Sequence, residues 1–432
     1  MLDGVSVWRV LKGAGVKYVK FVIVDLLGRP RAEVVPIDSA RDSFTDGIVF
    51  DGSSIPVYAT VNKSDVVAVP DLRAVYIETW NDGKVAIVFT NVLDGSRPHP
   101  ADPRSVLHQS VQYVQSRGYT PLLGAEVEFF LVKGLPPVPA DEGVYFDSHH
   151  HGATTEIVEE IAEHMYKSGI GYTKIHHEVS PGQYEVNIPA GDPVQVADQV
   201  VVFKLMAKAL ARRRGLTATF MPKPFWGING SGMHVHLSLW KDGVNLFVSR
   251  GEPTEELKHA VAGILNNALQ NSVFVAPTVN SYKRLVPHHE APTRVAWGIG
   301  NRSAMVRIPY YGGKINRLEY RHPDPSANPY IAFAVIILSA LEGIENRLEP
   351  PQPVADSAYE LKGVRETPPN LGEALKYAAD GGATRLLPEQ FTSAYLRYKE
   401  AEWASYLKAV GSWEATWNKI TQWEYEQYLE RA

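Results

Sequence analysis

The alternation of apolar and polar positions separates a strand-rich beginning from a longer mixed remainder. Residues 17–25 (KYVKFVIVD) form an apolar run rich in β-branched and aromatic side chains, which predicts a strand with Gly28-Arg29-Pro30 as its turn. Further strand-like runs follow at 31–36, 65–70, 75–79 and 84–90. Pro98, Pro100 and Pro103 then interrupt any regular element, so 97–103 reads as a linker. Asp102-Pro103 has the form of an N-cap followed by proline in the first turn, and predicts a helix to about Arg117. The same signal at Asp192-Pro193 opens a long helix. It closes on Arg212-Arg213-Arg214, where cations complement the helix dipole, and stops at Gly215. A helix is predicted from Thr254 to about Gln270, and an apolar one from Pro329 to Glu345. Residues 388–432 carry Trp, Tyr and Glu at helical spacing, which predicts two or three amphipathic helices. Within them 410–414 (VGSWE) is echoed by 420–424 (ITQWE), a pattern read as helix packing rather than a ligand box.

Three segments place polar residues where strand patterns normally exclude them: 124–130 (GAEVEFF), 176–185 (HHEVSPGQYE) and 229–236 (NGSGMHVH). Residues two apart in a strand share a face. Glu126 and Glu128 therefore face one way and Val127 and Phe129 the other, and His234 and His236 pair likewise. Carboxylates on an inward face are costly unless positive charge meets them. The pattern predicts divalent metal, and oxygen ligands with an occasional imidazole suit Mg²⁺ or Mn²⁺. Downstream, Arg317, Glu319 and Arg321 share another strand face. Arginines beside metal-binding carboxylates suit phosphate, because the planar guanidinium matches the oxygens that metals also bridge.

Composition narrows the class. A length of 432 residues points to two domains, and 45% hydrophobic content permits a sizeable core. A net charge of −5 argues against a nucleic-acid partner. The absence of cysteine removes disulfides, thiolate metal sites and thiol nucleophiles. Residues 1–10 lack a signal-peptide core, and the longest apolar stretch, 331–341, is too short to span a bilayer. A soluble, cytoplasmic protein without a membrane partner is expected.

The motifs taken together resemble glutamine synthetase, type I. They are 50–54 (FDGSS), the Glu-Val-Glu strand, the His-His-Glu segment, 220–224 (FMPKP) with 229–236, the 283–287 loop (KRLVP) and 301–303 (NRS), running in family order. The resemblance implies an α+β fold, with a small N-terminal β-grasp-like domain over 1–102 and a catalytic domain with a curved antiparallel sheet over 103–432. It implies one metal on Glu128, Glu178 and Glu185 and another on Glu126, His234 and Glu319. His236, Ser238, Lys314 and Arg317 would contact ATP. Arg284, Asn229, Gly230 and Arg321 would hold glutamate, and Arg302 and Arg307 the transferred phosphoryl group. Asp51, Ser54, Tyr145, Glu178 and Glu290 would form the ammonium pocket, with Asp51 reaching across from a neighbouring subunit and Glu290 on a mobile flap. The assembly implied is a homo-oligomer, a dodecamer of stacked hexameric rings. The activity implied is ATP-dependent ligation of ammonia to glutamate through γ-glutamyl phosphate.

Several positions depart from the family pattern. His288-His289 stands where Gly-Tyr often precedes the flap glutamate, and Gly143-Val144 where Gly-Gly usually precedes the tyrosine. These flank the amine pocket, so ligation of a polyamine or other amine is the alternative activity. The family's feedback arginine near Thr60 and the usual context of Tyr359 are missing, and the tail carries extra residues around the Trp echo. A catalytically dead regulator is the reading from another class, opposed by the full set of metal ligands and arginines. His149-His150-His151 has no family counterpart and reads as a solvated loop.

Overall fold

The computed structural model describes residues 3–380 and 386–432. Strands Tyr18–Val24 and Pro30–Pro36 form the expected hairpin. Gly28 turns it with φ +82°, and a Cβ there would stand 2.8 Å from Asn328 Cα, so the turn lies directly against a later part of the chain. The first sheet runs Pro30–Pro36, Tyr18–Val24, Val85–Asp94, Asp65–Ile77, Ile48–Asp51. Only the pairing of Tyr18–Val24 with Val85–Asp94 is parallel. The apolar run of the first strand is continuous because both faces are covered. Val19, Phe21 and Ile23 enter a local core with Val7, Leu11 and Phe44, while Val22 and Val24 enter the main core. Helix Gly4–Gly13, which the sequence reading left out, supplies Val7 and Leu11 and is capped by Asp3. The runs 65–70 and 75–79 are one strand, Asp65–Ile77, whose register shifts between Pro70 and Val75, where proline lacks a ladder donor.

The segment expected as a linker is largely tied down. Arg97–Pro98 pairs with Val85–Asp94, and buried Asp102 accepts from Ser105 N (3.1 Å), Tyr58 Oη (3.1 Å) and Val92 N (3.3 Å). Helix Pro103–Ser116 follows, as the cap signal predicts. Its buried Arg104 grips Asp198 through Nε (3.0 Å) and Nη2 (2.9 Å), and reaches Asp71 (2.9 Å) and Asn91 in the first sheet. Asp198 lies on helix Pro193–Arg213 and also accepts from Tyr330 Oη.

The second sheet runs Trp297–Ile299, Val306–Ile308, Leu318–Tyr320, Met233–Lys241, Thr120–Lys133, Gln183–Gly191, Lys174–His177. One face is apolar: Phe129 lies 5.7 Å from Phe203 and 5.6 Å from Phe220, ring centre to ring centre, under helix Pro193–Arg213. The other face carries the polar residues. Helix Pro329–Glu345 is buried along nearly its whole length and crosses Glu255–Asn266 at Gly263 and Gly343. The helix predicted over 254–270 breaks at Asn267, whose side chain donates back to Gly263 O (3.0 Å), and resumes as Ala268–Val275. Helices Ala153–Lys167 and Leu371–Ala379 add to those predicted. The tail forms Glu389–Val410 and Gln422–Tyr428, with Trp413 and Trp423 of the echo both packed on Tyr406. Among the described residues no helix is long and apolar enough to cross a membrane.

Candidate active site

The polar face of the second sheet is assembled by register. Glu128 pairs with Glu185, Glu126 with both Asn187 and His234, and Glu319 with both His236 and Arg307. Glu126 and Glu128 share a face, as period-two alternation requires. His234 stands between them, with Nδ1 3.2 Å from Glu126 and Nε2 3.8 Å from Glu128; its Nδ1 is also 4.0 Å from Glu319. His236 Nδ1 accepts from Arg317 Nε (3.1 Å), so its Nε2 carries the proton and donates to Glu126 (2.9 Å). Glu319 is met by cations on both oxygens, Arg307 on one and Arg321 on the other.

The electrostatics differ from one carboxylate to the next. Burial, then the charges of Glu178 and Glu185, push the Glu128 carboxyl well above its usual range. Burial and Glu185 raise Glu178 to about 7, and burial with Glu126 raises Glu185. Burial also works against charge on Glu126, but hydrogen bonds from His234 and His236 hold it low. Glu319 is brought to about 2 against its burial, chiefly by Arg321. Burial lowers His234 to about 4, which keeps the ring neutral, one nitrogen donating to Glu126 and the other holding a free lone pair.

These features fit a pair of hard divalent cations. Glu128 receives only neutral donors, Gln183 Nε2 (3.2 Å) and Gly232 N (2.8 Å), while other carboxylates crowd it. Donor atoms converge within 4.8 Å in two sets, Glu126 with Glu185 and His234, and His176 with Glu178 and Glu185. Glu185 thus lies between the sets. His176 was not among the sequence candidates. Its signal was available, since His176 and Glu178 are two apart at the end of strand Lys174–His177.

Two adjoining cavities share Glu178. The larger, about 750 Å³, is lined by Glu126, Tyr145, His236, Arg302, Arg307, Lys314 and Arg317 among others. The smaller, about 20 Å³, is lined by Glu128, Asn229, Gly230, Arg284, His289, Glu290 and Arg321. Arg284 is buried and donates to the carbonyls of His322 (2.9 Å) and Arg321 (3.1 Å). Gly230 is required where it stands: a Cβ would lie 2.2 Å from Pro222 O. Glu290 is exposed with φ +55°, and its carbonyl accepts from Arg321 (3.3 Å). His289 contacts Asn229 Oδ1 through Nδ1 (3.3 Å), and His288 lies 5.1 Å from the Tyr359 ring.

Ser238 shares the face of His234 and His236 but accepts from Trp240 Nε1 (3.0 Å) and lines neither cavity. Asp51 and Ser54 also line neither. They are exposed at the end of strand Ile48–Asp51, where Asp51 accepts from Ser53 N (2.9 Å) and Ser54 Oγ (2.6 Å). Exposed His149 and half-buried His151 both bond Asp147 and line neither cavity. Half-buried Asp141 carries no sequence signal, and buried His177, part of the His-His-Glu segment, has no role assigned by it. They bond at 3.0 Å, and Asp141 also accepts from Gly143 N (3.1 Å), Gly182 N (2.7 Å) and Tyr184 Oη (2.8 Å), fixing the loop before Tyr145.

Residues 15–95 match the glutamine synthetase β-grasp domain family, and residues 100–418 match the glutamine synthetase catalytic domain family. The chain is 39% identical to the glutamine synthetase of Pyrococcus furiosus, covering 96% of this chain and 97% of that protein. It is 38% identical to the glutamine synthetase of Thermotoga maritima, covering 95% and 98%. The solved structure of GmaS in complex with ADP superposes with a TM-score of 0.88 at 31% identity, covering 98% of this chain and 99% of that one.

Proposed function

The chain belongs to the glutamine synthetase family, and on that premise we propose how its own residues carry out the reaction. The enzyme is a glutamate–ammonia ligase that forms glutamine with ATP. Its β-grasp and catalytic domains divide at about residue 102. The observation that supports the residue assignment is that the two cavities share Glu178 in their linings. Phosphate-matching arginines line one, Arg284 and Arg321 the other, and buried carboxylates stand at their junction.

ATP occupies the larger cavity, with its phosphates toward Arg302, Arg307, Lys314 and Arg317. His236 sits beside them, and Ser238 contacts the nucleotide after turning from Trp240. Glutamate binds on Arg284, Asn229, Gly230 and Arg321 once the small cavity they line widens beside Glu290. A γ-carboxylate oxygen attacks the γ-phosphorus, and the bond to ADP breaks. Arg302 and Arg307 meet the charge that builds on the phosphoryl oxygens. Glu128, Glu178 and Glu185, and Glu126, His234 and Glu319, would hold Mg²⁺ or Mn²⁺, which when bound would screen the charge of the two anions. Ammonium enters a negative pocket of Tyr145, Glu178 and Glu290. Once deprotonated, its nitrogen attacks the acyl carbon and phosphate leaves. Glu290 closes over the intermediate and keeps water out.

Asp51 takes the ammonium proton, with Ser54 beside it, from the first domain of an adjacent copy. Their exposure in a single chain supports this reading, and a ring-forming dodecamer in the cytoplasm supplies the neighbour. Phosphate release with ATP, Mg²⁺ and glutamate tests the proposal, comparing ammonium with a panel of mono- and polyamines. Ammonium stimulation with glutamine as product is expected. Stimulation only by a larger amine would move the substituted flap neighbours His288 and His289 to the centre of specificity and overturn the ammonium assignment.

A further inference from the structure

The C-terminal helix Gln422–Tyr428 buries Glu424 against Lys283, the residue before Arg284. Glu424 and Lys283 form an ion pair at 2.6 Å, and both side chains are wholly buried. Lys283 also donates to Lys419 O (2.7 Å) and Tyr406 Oη (3.2 Å), and lies over the rings of Tyr406 and Trp413. The other Glu424 oxygen accepts from Asn280 Nδ2 (2.8 Å). Taking two charges out of water is costly, and matched apolar side chains hold a helix as well. A pair retained in this setting is accounted for by the geometry it imposes.

That geometry runs to the substrate. Lys283 precedes Arg284 in the single-turn helix Ser281–Arg284. Asn280 reads both backbone groups of Lys223, accepting from its N–H (2.6 Å) and donating to its carbonyl (2.9 Å). The Lys223 side chain in turn donates to Ile228 O, and Pro222 O accepts from Ser231 N (2.8 Å) and lies against Gly230. One carboxylate of the tail therefore ties together the two segments that present Arg284 and Asn229-Gly230.

We propose that Glu424, acting through Lys283 and Asn280, is a positioning residue for the glutamate substrate. The inference rests on the glutamate site assigned above. The test measures glutamate affinity by calorimetry with Mg²⁺ and a non-hydrolysable ATP analogue, alongside steady-state KM and kcat. In Glu424→Gln, the glutamate Kd and KM should rise roughly tenfold, as for supporting residues behind a site. The KM for ATP should stay within about twofold, a split that general loosening would not produce. The double variant Lys283→Met/Glu424→Gln leaves no buried charge and should fold. It should show the same selective loss and so decides the matter if the single variant does not fold. Tyr395→Phe removes a buried hydrogen bond from the tail helix Glu389–Val410 to Val273 O (3.0 Å) and is the control for tail stability, expected to lower Tm with glutamate affinity unchanged. Unchanged glutamate affinity in the folded double variant would overturn the positioning role. Wild-type protein that binds no glutamate would overturn the site assignment and this inference with it. Wild-type protein that binds glutamate without turnover would still yield the Kd comparison.

Discussion

Glu128 and Glu185 are registered partners in adjacent antiparallel strands, two carboxylates set opposite one another on a buried face. Like charges so placed repel. Without metal, the fold holds protons here: burial, and after it the neighbouring carboxylates, raises Glu128 and Glu185 and brings Glu178 to about 7. A carboxyl raised in the folded state favours folding at low pH. The metal-free protein therefore loses stability as pH rises from the ordinary glutamate range toward 7. Divalent cation replaces the protons. Its stabilisation, read as the difference in Tm between Mg²⁺ and chelator, should be larger at pH 7.5 than at pH 5.5 by a few degrees.

Glu128→Gln separates function from stability. The variant keeps the shape of the side chain but removes one of the opposed charges. Turnover should fall roughly 100-fold or more. Tm in chelator at pH 7.5 should rise, because folding no longer has to hold a proton at this position. A variant that lost both activity and metal-free stability would show that Glu128 serves packing alone.

Glu290 acts as a lid in the proposed reaction, and it is exposed, with a left-handed backbone. Glu290→Ala should reduce glutamine formation about 100-fold, the scale of a lost acid–base group. ADP release should fall less, because water reaches the acyl phosphate. The ratio of glutamine to ADP is the measurement, and coupling equal to wild type would remove the lid role.

The crossing of helices Glu255–Asn266 and Pro329–Glu345 admits no side chain. A Cβ on Gly263 would stand 2.0 Å from Ser339 O, and one on Gly343 2.0 Å from His259 O. Gly263→Ala or Gly343→Ala should destabilise by about 3 kcal/mol through forced separation. Chemical denaturation with an unchanged m-value checks this.

Asp71 answers to acid. Burial opposes its charge, but Arg104 and Arg73 lower its carboxyl to about 2. A depressed carboxyl stabilises the fold above the ordinary aspartate range, and the benefit is lost as pH falls from about 4 to about 2. Asp71→Asn should cost on the order of 1 kcal/mol at pH 7, allowing for water at its outer edge. The difference from wild type should vanish near pH 2.

Residues with local signals were legible in the sequence. The Asp102, Asp192 and Thr254 caps each open a helix, and the alternation at 126–129 puts carboxylates on one face and Val127 and Phe129 in the core. What escaped was non-local. Nothing in the spacing of Asp141, His177 and Tyr184 announces that one carboxylate joins all three, or that Lys283 meets Glu424. Helix Gly4–Gly13 gave a weak signal because three of its apolar positions are valines, poor helix formers, and its buried face needs the first sheet to cover it. That the 97–103 connection is tied down was not legible, because proline marks a break in regular structure, while the contacts of Asp102 are set by distant partners.

The rungs that place Glu126, Glu128, Glu185 and His234 belong to one continuous ladder centred on Thr120–Lys133. A slip of one residue in that strand would turn Glu126 and Glu128 into the layer of Phe129, Phe203 and Phe220, and bring Val127 and Phe129 out among the ions. Cation uptake is thus a gauge of strand alignment. A refolded preparation, or any variant of this sheet, can be sorted by metal titration into molecules that aligned correctly and molecules that did not, before a substrate is ever added.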